Sequence, residues 1–76
     1  MQVEQAMPVQ NRLIKLPEVL RMSGLSRTAL YKRVREQQFP APVKLSERSV
    51  AWLQSEVNAW IEAKVQGREA RLARTG

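Results

Sequence analysis

Cationic and hydrogen-bonding side chains recur at helical spacing in one short stretch of the chain. Arg27, Thr28, Tyr31, Lys32 and Arg35 are spaced so that they project together along one face of a helix. An arginine fork matches guanine N7 and O6, a threonine methyl matches the thymine methyl, and lysine attracts phosphate. The chemistry that this pattern predicts is non-covalent recognition of double-stranded DNA in the major groove.

The helix that would carry these residues is predicted to run from about Arg27 to Gln37. Ser26 precedes it with a hydroxyl that can cap the helix, and it is included among the candidate DNA-binding residues because amide nitrogens at a helix start hold phosphate. Leu30 and Val34 lie four residues apart and are expected to pack on the preceding helix.

That preceding helix begins near Pro17, whose fixed φ suits the first helical turn, and Glu18 there favours the helix dipole. It is predicted to stop at Ser23-Gly24, where glycine can turn the chain sharply. Two helices joined by such a short corner form a helix-turn-helix. Before them, residues 12–16 alternate weakly and predict a short strand or an extended lead-in.

The same cations would also be found on a solvated helix face that contacts nothing. The glycine corner and the capping serine favour insertion into a groove, because an isolated charge run requires neither. Two interpretations of Tyr31 stay open: contact with a base edge or a phosphate, and packing against the hairpin predicted below.

A β-hairpin is predicted after the second helix. Pro40 and Pro42 forbid helix, residues 43–45 and 50–53 alternate as strands do, and residues 46–49 are polar and predict the turn. This hairpin is the wing of a winged helix-turn-helix. Lys44 and Arg48 on the wing are expected to reach an adjacent groove or the DNA backbone.

The last helix is predicted over residues 54–66, with an apolar stripe of Val57, Trp60, Ile61 and Val65 and an end near Gly67. Trp52 and Trp60 are expected to fill the core between the wing and this helix. The fold class predicted is therefore mainly α with a small β-hairpin, three helices plus a wing. The predicted divisions are a disordered arm at residues 1–11, the domain at residues 12–66 and a basic tail at residues 67–76.

Composition limits the function classes. The formal net charge is +6, and cysteine and histidine are both absent, so thiolate or imidazole metal sites and the common catalytic dyads are excluded. The acids are scattered singly, which indicates a protein that is not an enzyme and needs no cofactor, metal or small-molecule substrate. No signal peptide or spanning segment is evident, so a cytoplasmic location and no membrane partner are expected.

Two rival classes share parts of this pattern. A basic RNA-binding protein would carry the same charge, but readers of single-stranded RNA expose several stacking aromatics and only Tyr31 qualifies here. An interaction module would show apolar residues outside the core stripe, and only Leu72 does. One DNA-binding module of this size buries roughly 600 to 1,000 Å², so repeated sites, a homodimer or cooperative self-association on DNA are expected.

The chain resembles the AlpA-type phage regulators over about residues 12–65. The resemblance rests on residues 12–19, Gly24-Leu25-Ser26-Arg27, Leu30-Tyr31, residues 39–45, Arg48, Trp52-Leu53, Glu56-Val57 and Ala59-Trp60. It implies a winged helix-turn-helix related to MerR-type and excisionase domains. It also implies control of a prophage or integrative-element integrase, through its transcription or by bending attachment-site DNA as a recombination directionality factor. The chain departs from the family at the wing tip, where glycine is common and Ser46-Glu47 stands here.

Overall fold

The structure is a computed structural model that describes residues 12–75, and the side chains of residues 12–68. The predicted arm at residues 1–11 lies outside the described residues. The elements follow in the order β1 (Leu13–Ile14), α1 (Leu16–Ser23), α2 (Arg27–Arg35), β2 (Val43–Ser46), β3 (Ser49–Leu53) and α3 (Gln54–Thr75). The predicted fold class is confirmed. No helix within residues 12–75 has the length and apolar character that a bilayer span requires.

Helix α1 and the corner after it form as the sequence predicts. Pro17 lies in the first turn, and the helix ends at Gly24, whose φ of 76° is left-handed. The Gly24 N–H donates to the Leu20 carbonyl at 2.9 Å, which satisfies a carbonyl of the last turn. A residue with a Cβ would be strained at this φ, so glycine permits the tight corner between α1 and α2.

Helix α2 begins at its predicted cap and ends two residues before its predicted end. The Ser26 hydroxyl accepts a hydrogen bond from the Ala29 N–H at 3.2 Å. At the other end, Gln37 takes a φ of 61°, and the Gln38 N–H donates to the Arg33 carbonyl at 2.8 Å. This is a Schellman termination with glutamine where glycine is usual, and for that reason the sequence did not reveal it.

Three strands form one antiparallel sheet in the order β1-β3-β2. Ile14 pairs with Trp52 on one side of β3, and Val43 pairs with Ala51 on the other. Strands β2 and β3 meet at a turn of Glu47 and Arg48, so the predicted hairpin is confirmed. The register of β2 shifts between Lys44 and Ser46, next to this turn.

The core lies between the sheet and the helices. Its buried side chains are Ile14, Val19, Leu30, Phe39, Trp52 and Val57. Trp52 is fully buried, and its Nε1–H donates to the Pro40 carbonyl at 2.9 Å. Its indole therefore has both the apolar surroundings and the hydrogen-bond partner that a buried tryptophan requires. The prediction that Trp52 fills the core is confirmed.

The apolar stripe of α3 enters the core only through its first two turns. Val57 is fully buried, but Val65 is 42% exposed, so the prediction that Val65 belongs to the core is wrong. Trp60 is half-buried at the edge of the core. Its ring packs edge-on against Phe39 at 4.9 Å between centroids, and its Nε1–H donates to the Gln38 carbonyl at 2.8 Å. Trp60 thus joins α3 to the segment after α2 instead of to the wing.

Helix α3 does not end near Gly67, as predicted, but continues to Thr75. Residues 67–75 therefore extend this helix and do not form a separate tail. A glycine inside a helix costs only about 1 kcal/mol relative to alanine, and alanine, arginine, glutamate and leucine on both sides favour helix. The 22 residues give a helix about 33 Å long, of which the second half extends past the core.

The two helix-associated glycines should respond oppositely to alanine. A Cβ at Gly24 or Gly67 would contact nothing within 4 Å, so only the backbone conformation differs. We expect Gly24→Ala to destabilise the domain by about 1 kcal/mol, and Gly67→Ala to stabilise the distal helix by about 0.5 to 1 kcal/mol. Thermal melts report the first effect, and helix content by circular dichroism reports the second. Loss of helix content in Gly67→Ala would mean that α3 ends at Gly67.

Candidate DNA interface

The exposed face of α2 is set by the burial of Leu30. At 100° per residue, Thr28 and Lys32 lie about 160° from Leu30 around the helix, and Arg35 lies about 140° from it. Leu30 is fully buried, and Thr28, Lys32 and Arg35 are all exposed. The structure therefore brings these three predicted residues together as one outward row along α2.

The start of α2 adds backbone donors and a further cation to this row. Arg27 is exposed in the first turn. The first backbone hydrogen bond of the helix joins the Leu30 N–H to the Ser26 carbonyl at 2.9 Å, so the N–H groups of Arg27 and Thr28 precede it. Amide donors at a helix N-terminus are suited to a phosphate oxygen. The Ser26 hydroxyl, by contrast, already caps the helix.

Tyr31 lies at the edge of the row, where α2 meets the sheet. It is half-buried, and its ring centroid is 6.3 Å from that of Trp52, with the planes tilted by 60°. Of the two interpretations that the sequence left open, packing of Tyr31 against a strand of the wing is present in the structure. This contact fixes the orientation of α2 relative to β3.

The wing presents its two candidate cations at different places. Lys44 is exposed and pairs with Val50 across the hairpin, whereas Arg48 is exposed in the turn beside Glu47. Because β3 contributes both the inner strand of the wing and Trp52, the wing and α2 are held by the same core residue. The two cationic elements belong to one rigid unit.

The charges on this unit are not neutralised internally. Within the side chains that the structure describes, one salt bridge forms, between Arg21 and Glu18 on α1. Arg27, Lys32 and Arg35 on α2 and Lys44 and Arg48 on the wing have no such partner in that part of the chain. Unpaired cations on one surface create a potential that attracts a polyanion.

Sequence reasoning missed a residue and a concave feature. Arg33 lies on the flank of α2, half-buried, with its Nε buried and without a hydrogen-bond partner among the described residues. A separate open groove of about 620 Å³ runs between residues 37–41 and α3, where Glu56 and Trp60 line it. None of the candidate DNA-binding residues lines this groove. The spacing of α2 would have flagged Arg33 only as a neighbour of the core.

A capped cationic helix, held across a glycine corner by a second helix and flanked by a cationic hairpin, defines a winged helix-turn-helix DNA-binding protein. Residues 12–65 match the family described as prophage CP4-57 regulatory protein (AlpA). The chain is 43% identical to "Uncharacterized protein ORF88" of Enterobacteria phage P4 over 60 residues, which cover 79% of this chain and 68% of that protein. The chain belongs to the AlpA family of prophage regulatory proteins, which are phage-associated DNA-binding regulators.

The wing tip offers a matched pair of substitutions. Glu47 and Arg48 are adjacent and exposed, so neither contributes much to stability. We expect Arg48→Ala to weaken DNA binding and to lower the salt dependence of log K by about 0.9. Glu47→Gln should strengthen binding, because it removes a carboxylate that repels phosphate. Titrations at several salt concentrations measure both effects, with melting temperatures as the control. A large fall in the melting temperature of Arg48→Ala would assign Arg48 a structural role.

Proposed function

We propose that the chain is a sequence-specific, non-enzymatic transcription regulator of a prophage or integrative element, and that it controls expression of the integrase. The observation that carries this proposal is the unpaired cationic row on the outward face of α2. A helix in this position of a winged helix-turn-helix is the element that enters the major groove. The family to which the chain belongs supports a phage-associated regulator.

In this proposal the residues of α2 divide into two roles. Arg27, Thr28 and Tyr31 lie nearest the base edges, where an arginine fork and a threonine methyl discriminate between base pairs. Lys32 and Arg35, with the amide nitrogens at the helix start, hold phosphates and set the register of the protein on the duplex. Lys44 and Arg48 on the wing contact the backbone or an adjacent groove.

A second candidate function is that of a recombination directionality factor that bends attachment-site DNA. The observation that favours it is the rigid connection between α2 and the wing through Tyr31 and Trp52. If both elements engage the same duplex, the DNA must adapt to the protein, and the added contacts offset the cost of bending. The resemblance to excisionase-related domains also supports this candidate.

A footprint of the purified protein on its own genomic neighbourhood separates the two candidates. Protection upstream of an integrase gene, over its promoter, is the result expected for the transcription regulator. Protection within an attachment site, with enhanced cleavage at bends, is the result expected of a directionality factor. Absence of any protected site would contradict sequence-specific DNA binding altogether.

The two roles on α2 predict two kinds of mutant. Arg27→Ala should cost about 1 to 3 kcal/mol on the cognate site and little on random DNA. Tyr31→Phe keeps the packing against Trp52 and removes only the hydroxyl, so any loss of cognate affinity in this variant reports on DNA contact. Lys32→Ala and Arg35→Ala should weaken binding to both DNAs and lower the salt slope by about one each.

Arg21→Ala provides the matched control, because it removes one positive charge from an ion pair on α1, outside the proposed surface. It should leave cognate affinity nearly unchanged. Equal losses on cognate and random DNA in Arg27→Ala would show that Arg27 does not read bases. A loss in Arg21→Ala as large as in Lys32→Ala would show that only net charge matters.

A further inference from the structure

The face of the sheet turned away from the helices carries apolar side chains that are not covered by the described residues. Leu13 pairs with Leu53, and Val43 pairs with Ala51. Ala51 and Leu53 lie two residues apart on β3, so all four share one face. We call these four residues the outer sheet patch. Leu13 is 43% exposed and Val43 is 37% exposed.

Two further observations identify this face. Ile14 and Trp52, which alternate with the patch residues along β1 and β3, are buried in the core, and Leu53 is not part of that core. The Nζ of Lys15 donates to the Ser49 hydroxyl at 2.9 Å, a bond that crosses the same outer face from β1 to β3. The patch therefore has a polar neighbour at one side and solvent above it.

We propose that the outer sheet patch is the contact through which one copy of the chain binds a second copy at a neighbouring DNA site. This inference rests on the proposed DNA-binding function and adds the surface that makes binding cooperative. The patch continues into the wing, because β2 carries both Val43 and the candidate DNA contact Lys44. Leu45, further along β2, is also exposed, at 47%. A copy on the adjacent site of the same duplex would lie beside the wing, next to this face.

Charge selects the occupant. The patch residues are uncharged, and the nearby Lys15 is already engaged with Ser49. An acidic partner would find no free cation on the patch to pair with, whereas an apolar face of the same composition matches it. A second copy in free solution brings another +6 of net charge, which repels the first. DNA phosphates neutralise both copies, so the contact forms on the duplex.

Area gives the same result. A stable protein interface buries about 800 Å² on each partner. Four side chains, of which Ala51 is 1% exposed and already buried, provide much less than that. Such a contact is too small to hold a dimer by itself. It is sufficient to favour adjacent occupancy when DNA already holds both copies at high effective concentration.

The test compares duplexes that carry one and two copies of the footprinted site. The variant is Leu13→Thr/Val43→Thr, because threonine retains the β-branched shape that strands favour while it reduces apolar contact. Val65→Thr is the matched control, since Val65 is 42% exposed on α3, away from the patch. We expect the wild type and the control to fill two sites cooperatively. The double variant should lose roughly tenfold in cooperativity and keep its one-site affinity and melting temperature.

Each other outcome overturns the inference in a distinguishable way. Unchanged cooperativity in the double variant, with intact one-site binding, removes the patch as the contact and leaves the proposed function standing. A fall in melting temperature of several degrees in the double variant would show that the chain itself covers the patch. Failure of the wild type to bind the one-site duplex specifically would overturn both the inference and the proposed function.

Discussion

The burial of Trp52 is the constraint on which the rest of the structure depends. Its ring packs with the buried residues of α1, α2 and α3, its Nε1–H satisfies the Pro40 carbonyl, and Tyr31 lies against it. In a chain of 76 residues with so small a core, one indole supplies a large share of the buried apolar area. Because Trp52 also lies on β3, the same contact that stabilises the fold sets the wing against α2.

This arrangement separates stability from binding. Helix α2 buries only Leu30 completely, and its other faces carry cations that no described acid neutralises. Such a helix gains little from its own sequence and depends on the corner at Gly24, the cap at Ser26 and the core beneath it. The repulsion among its cations is a cost in the free protein, and phosphates on DNA would remove it.

Local chemistry explains which features were predictable from the sequence. The corner, the serine cap and the hairpin follow from Gly24, Ser26 and the prolines after α2, each of which acts within a few residues. The end of α2 at Gln37 and the length of α3 did not, because each depends on a residue in an unusual context. The outward row on α2 was predicted from spacing. The packing of Tyr31, the position of Trp60 and the outer sheet patch depend on contacts distant in sequence, which spacing does not reveal.

The central claim is that α2 and the wing form one DNA-binding surface. Titration of the isotope-labelled chain with its footprinted duplex, followed by amide chemical shifts in NMR, tests it most directly. We predict that shifts concentrate together in Arg27–Arg35 and at the turn of Glu47 and Arg48, while the groove between residues 37–41 and α3 changes little. Shifts centred on that groove or on α3, with α2 unaffected, would contradict the account.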